Sequence, residues 1–180
     1  MNLYDFVGTQ NLEESAGLET EVLIADYSDI LTFPDLPDLT AGTTNADYVN
    51  LGAEVFVMKT GKQFRKFEAS LEKNAFQSQL VGSRGAMSFE NTLTIQRNAM
   101  TPELVGFIRA NRNRQLIVAF KPLGLSQYVV LGWKGLPAEV NEGNIDIPGE
   151  IAGDKMTQVQ IRSIYYAPLF IDAIPLTPGA

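Results

Sequence analysis

At 180 residues and 45% hydrophobic, the chain is the size of one domain, 1–180, with enough apolar content to bury a core of its own. It has no histidine and no cysteine, which excludes Ser-His-Asp and Cys-His catalysis, a disulfide framework and thiolate metal sites. The formal charge of −7 is unevenly spread: residues 1–58 hold eleven acids and no Lys or Arg, residues 59–121 carry +7, and residues 122–180 carry −3. Such a split either disperses over a mixed surface on folding or lets the acidic segment of one copy meet the basic segment of another, head to tail.

The chain opens Met1-Asn2-Leu3-Tyr4-Asp5-Phe6, with no basic start and no apolar run behind it, so no signal peptide is expected. The longest apolar run near the middle, 116–120, is too short to span a bilayer. There is no Asn-x-Ser/Thr sequon. These features suit a protein made and folded in the cytoplasm.

Residues 1–18 read as a polar arm. The first strand is expected at 19–26, with Val22 and Ile24 set against Glu21, Leu23 and Ala25. Residues 32–52, with Pro34, Pro37, Gly42 and three aspartates, form a long loop. Loops of that length are usually functional or disordered, and Phe33, Leu36, Leu39, Tyr48 and Val49 point to an ordered contact loop. A short strand at 54–58 and a turn at Thr60-Gly61 lead into a strand over 63–72.

Residues 63–72 alternate Phe67, Ala69 and Leu71 against Lys66, Glu68, Ser70 and Glu72. Residues 87–97 alternate Met87, Phe89, Leu93 and Ile95 against Ser88, Glu90, Thr92, Thr94 and Gln96. Period-two alternation marks strands with one buried and one wet face. Between them lies 73–86, with Gly82-Ser83-Arg84-Gly85 as its turn, so the two strands are expected to pair as a long hairpin with a protruding tip. A helix follows at 102–113, with Thr101 as N-cap, Pro102 at the first position, Leu104, Phe107 and Ile108 buried, and Arg109, Arg112 and Arg114 at its C-terminal end.

Residues 115–121 form a central apolar strand, with 126–134 as its hairpin partner and Trp133 as a core anchor. Residues 137–154 read as an acidic loop, 156–165 and 169–174 as strands, and 175–180 as a tail that Pro175 and Pro178 keep out of any sheet. The fold class is therefore mainly β (α+β): an antiparallel β-sandwich or half-barrel with a long protruding hairpin and one flanking α-helix.

Nothing in this pattern supports catalysis or a cofactor. Gly61-Lys62 lacks the first glycine of a phosphate loop, where Phe56 stands. Pro148 and Lys155 break any calcium-loop spacing around Asn144, Asp146 and Glu150. Acid pairs such as Asp35 with Asp38, Asp26 with Asp29 and Glu13 with Glu14 sit in turns, where carboxylates usually cap or face solvent. Arg109, Arg112, Arg114 and Lys121, with Arg65 and Lys66 on a strand, are too few for a tight nucleic-acid binder of pI about 4.6.

The order of parts (short hairpin, long hairpin with a tip, one capped helix, further strands, acidic arms) resembles the major tail tube proteins of long-tailed bacteriophages over most of 19–174. That resemblance implies a non-enzymatic virion subunit, made in the host cytoplasm, that forms hexameric rings stacked into a tail tube. Its implied partners are further copies of itself, the tape-measure protein and transiting DNA in the lumen, and a sheath or terminator protein, with no membrane. Lys66, Glu68, Ser70, Glu72, Ser88, Glu90, Thr92, Thr94 and Gln96 would face the lumen. Phe76, Gln77, Leu80, Val81, Arg84 and Met87, with Phe33, Leu36 and Leu39, would reach the next ring. Lys66 tests this assignment: a channel for DNA should not grip phosphate, so Lys66 must be paired or the face is wrong. Two alternatives stand beside it. One is another ring-forming virion part, such as a tail terminator, head-tail joining or baseplate protein. The other is a monomeric β-sandwich that binds through exposed tyrosines such as Tyr128, Tyr165 or Tyr166.

Overall fold

A computed structural model describes residues 17–147 and 155–179. In chain order the elements are β1 (Leu18–Asp26), β2 (Ile30–Thr32), β3 (Val57–Met58), β4 (Arg65–Glu68), β5 (Ala75–Ser83) and β6 (Ala86–Arg97), then α1 (Pro102–Asn111), β7 (Gln115–Pro122), β8 (Tyr128–Leu131), β9 (Ala138–Asp146), β10 (Met156–Tyr165) and β11 (Leu169–Ile171). The fold is mainly β, antiparallel, with a single helix among the described residues. Nine strands share one hydrogen-bonded system that folds into two layers. The central layer runs β4-β1-β7-β8-β11, and the second runs β9-β10-β6-β5.

The central layer is covered on both faces, and its sequence shows why. Along β7 the side chains alternate between two cores: Leu116, Val118 and Phe120 face the second layer, while Ile117 and Ala119 face the opposite way. Leu93, Ile95, Val159 and Ile161 meet the first set from β6 and β10. An irregular layer that includes Leu51, Phe56, Met58, Phe64, Trp133 and Ile174 covers the second. Five consecutive buried residues in β7 are therefore a strand sandwiched between two layers, as a continuous apolar run implies.

The two layers are joined where β8 passes into β9. Both strands lie along one edge of β7, at Val118–Phe120 and at Gln115–Leu116 respectively. Between them residues 132–137 loop out, closed by hydrogen bonds between Trp133 and Leu136. At the neck a Cβ on Gly132 would lie 2.5 Å from Ala138 N and 2.9 Å from Leu116 O. Only glycine fits there, at φ 85°.

Several expectations are corrected. The hairpin partner of β6 is β5, not 63–72, and the turn lies at Arg84-Gly85. Residues 65–68 pair with β1 in the central layer instead. The strand expected at 54–58 shrinks to β3, which pairs with β2, so Thr60-Gly61 is not a hairpin turn. That turn is held by residues from the expected tail: Gly61 N donates to Gly179 O and Gly179 N to Lys62 O, so the described residues 175–179 bond to the body rather than trail from it. The acidic loop expected at 137–154 contains β9 over most of its described length. The helix ends at Asn111, and Arg114 binds Asp26 at 3.5 Å. The expected arm lies almost wholly outside the described residues, with Leu18 already in β1.

Candidate self-assembly interface

The second layer is the unusual part of the molecule. Its four strands have an unpaired backbone edge at each end. β5 pairs only with β6, and β9 pairs with β7 only at Gln115 and Leu116, so among the described residues 140–146 and 75–83 carry no strand on their outer sides. Natural edge strands are usually blunted by lysine, proline or a covering element. Here β5 reads Ala-Phe-Gln-Ser-Gln-Leu-Val-Gly-Ser, nine residues with neither charge nor proline. The central layer contrasts with it: residues 49–51 hydrogen-bond along β11, with Leu51 N donating to Phe170 O and Phe170 N to Val49 O.

One face of this sheet is a carpet of amides and hydroxyls. Cross-strand register puts Gln77, Thr92, Arg162 and Glu139 in one row and Thr94, Gln160 and Glu142 in the next, with Gln96, Gln158 and Asn144 beyond. Its one Arg, Arg162, lies 2.8 Å from Glu90, while Glu139 and Glu142 leave the face net negative. Ser88, Glu90, Thr92, Thr94 and Gln96 all lie on this face.

Lys66, Glu68, Ser70 and Glu72 do not. Lys66 lies on β4 and binds Glu21 on β1 at 2.8 Å, a bond that raises its pKa. Ser70 Oγ accepts from Asn98 N, and Glu72 sits in a turn with φ 60°. The error has a physical source. Phe67 does face inward, against Phe107 at 5.0 Å, so 65–68 alternates like the hairpin strand it was mistaken for. Leu71, expected in the core, is 60% exposed.

The opposite face changes character along its length. Over the body Phe76 stacks on Phe120 at 4.9 Å, and Leu93 and Ile95 are buried. A polar latch follows. Asn91, 1% exposed, accepts from Ser78 Oγ at 2.7 Å and donates to Tyr166 O at 2.8 Å and Ser163 Oγ at 3.4 Å. Past the latch the ribbon leaves the core, and Leu80, Met87 and Tyr165 are 55–59% exposed around half-buried Phe89. Tyr165 also holds φ 86°, a costly conformation for an aromatic residue.

Of the residues expected to reach a neighbouring ring, Leu80, Arg84 and Met87 lie on this overhang, and Leu36 and Leu39 are exposed in the long loop. Phe76 belongs to the core, and Gln77 to the polar face. Val81, half-buried, is on the polar face too, opposite Ser88. Phe33 packs edge-on against Phe56 and Trp133, so it orders the loop from within. The acidic loop is otherwise held by its own carboxylates. Asp38 accepts from Thr40, and Asp47 accepts from the backbone N–H groups of Thr43 and Thr44, which pull its pKa down to about 2.

A second feature lies at the β4 edge. A cleft of about 390 Å³ opens between the end of β1, residues 62–67 and the C-terminal end of α1, with Phe67 and Phe107 on its apolar side. Lys62 pairs with Asp29 at 3.1 Å and Arg114 with Asp26. Burial works to raise the Asp26 carboxyl, but hydrogen bonds from Ser28, with Arg114 nearby, outweigh it and leave the pKa below the ordinary value. Arg65, Arg109 and Arg112 are exposed and form no ion pair among the described residues. Lys121, expected with them, is at the far end of β7, 3.6 Å from Glu19 and over the Tyr128 ring.

No group of three or more acids that could hold a metal occurs among the described residues, and no helix there is long and apolar enough to cross a membrane. No family model, no curated protein and no solved structure matches the chain.

Proposed function

We propose that this protein is a structural virion subunit that closes into rings and stacks them into a tail tube through which DNA passes. The observation that carries this reading is the four-stranded sheet with two open edges and a polar face. In the order β9-β10-β6-β5 the first and last strands run in opposite directions. β5 of one copy laid beside β9 of the next therefore continues the antiparallel alternation, with every copy oriented the same way. Closure removes the edges. A β9–β9 pairing would instead oppose Glu139, Glu142 and Asp146 to one another.

Size sets a lower bound on the ring order. With strands about 4.8 Å apart and tilted about 40°, six such sheets close a barrel about 48 Å across, or about 35 Å inside its side chains. Three sheets would leave about 12 Å, too narrow for a DNA duplex. The Gln- and Thr-rich face then lines the lumen, where a net negative wall whose one Arg is paired with Glu90 offers no free cation to hold phosphate. With Lys66 in the central layer, the cation that sat uneasily on that wall is gone.

Native mass measurement and electron microscopy of the concentrated full chain test the reading. Rings that extend into hollow tubes support it. Rings that never stack would instead indicate a terminator, joining or baseplate role, and a single subunit at every concentration would overturn it.

A further inference from the structure

We propose that the basic cleft between α1 and β4 receives the acidic loop 38–47 of a second copy, so that subunits join head to tail along the tube axis. This rests on the ring reading above and names the contact between rings.

Three observations carry it. First, cleft and loop flank opposite edges of the central layer. The cleft adjoins β4, and the chain immediately after the loop is bonded to β11, four strand spacings or about 19 Å away. Second, their charges match. The cleft lining carries Lys62, Arg65, Lys66 and Arg114 against Asp26 and Asp29, and Arg65 is exposed there without a carboxylate partner among the described residues, while Asp38 and Asp47 are exposed in a stretch whose flanks hold no Lys or Arg as far as Met58. Third, their apolar groups match. Leu39 is 51% exposed beside Asp38, and the cleft has a Phe67–Phe107 side. The ribbon geometry agrees with this axis. β6 ends on the β4 side, where Ser70 N donates to Gln96 O; followed back from there it passes Tyr166, close in the chain to β11, and then overhangs.

The test uses two charge reversals in the full chain, Arg65→Glu and Asp38→Lys, with Asp38→Asn to separate charge from the Thr40 hydrogen bond. Each reversal should leave ring mass unchanged and weaken stacking about tenfold or more, and Asp38→Asn should fall between. Mixing the two reversed proteins should restore long stacks, because each altered loop then meets a complementary cleft. Wild-type stacks should also shorten as salt rises, since screening contracts from about 10 Å at 0.1 M to about 3 Å at 1 M. Unshortened stacks from both reversals, or a mixture that stays as single rings, would overturn the contact while leaving the ring intact. So would loss of binding to a short DNA duplex in Arg65→Glu with stacking unaltered, which would assign the cleft to a polyanion. A wild-type chain that never forms rings would remove both proposals.

Discussion

The two layers of this sandwich use apolar surface differently. In the central layer both faces of β7 are buried, and five residues in succession from Leu116 to Phe120 are closed to solvent. In the second layer only one face is apolar, neither edge is paired along its length with a strand among the described residues, and the last third of the β5–β6 ribbon extends past the core. The central layer thus secures the fold of one chain. The second leaves a backbone edge, a polar face and an apolar overhang uncovered among the described residues, the surfaces on which the proposed assembly rests. Single-chain sheets usually blunt such an edge, and the nine neutral residues of β5 carry neither charge nor proline to do so.

Substitutions can separate these roles. The largest effect on folding is expected from Phe120→Ala, which removes a fully buried ring between both layers and should cost about 3–5 kcal/mol. Denaturant unfolding would register it as a lowered midpoint with an unchanged slope. Asn91→Ala comes next. It strands Tyr166 O and the Ser78 hydroxyl near the latch and should cost about 1–3 kcal/mol, with faster amide exchange confined to the ribbon. If instead the whole sheet loosened together, the division between body and overhang would be wrong.

Gln77→Glu should shift folding stability by less than about 0.5 kcal/mol, because the side chain is exposed opposite Thr92. Its effect should appear in assembly, where a carboxylate on the β5 edge would face the Glu139 and Glu142 of the neighbouring β9 and weaken the pairing. A marked loss of thermal stability with normal assembly would reverse the roles assigned to the two layers. The smallest effect concerns the long loop in acid. The Asp47 pKa, about 2, lies below its ordinary 3.8, so its contribution is complete above pH 4 and disappears as pH falls through 2. The Thr43 and Thr44 amide resonances should titrate with a midpoint near 2, and Asp47→Asn should abolish that titration.

How much of this was legible in the sequence depended on where each strand buries its side chains. β6 and β10 cover a core with one face only, and their alternation showed in the residues. β7 is buried twice and showed as an unbroken apolar run. β5 and β9 were missed because little of either packs on the body. Phe76 is the principal inward anchor of β5, and β9 has Gly143 against Ile108 where a larger apolar residue would have signalled a strand. The same omission misassigned the hairpin, since 65–68 alternated more clearly than the true partner. Lys66 was the available warning: a cation on the supposed polar face needed a partner, and its partner proved to be Glu21, 45 residues earlier in another layer. The cleft was out of reach, because it depends on 62–67 lying beside the end of α1.

The direction of the ladder in the second layer has a mechanical consequence. Its covalent chains run along the strands, while its hydrogen bonds run across them, from β9 through to β5. In a closed ring the backbone bonds would therefore act as a hoop, and rings would be held to one another by side chains alone. Such a cylinder resists bursting better than it resists pulling, and under tension it should part cleanly between rings.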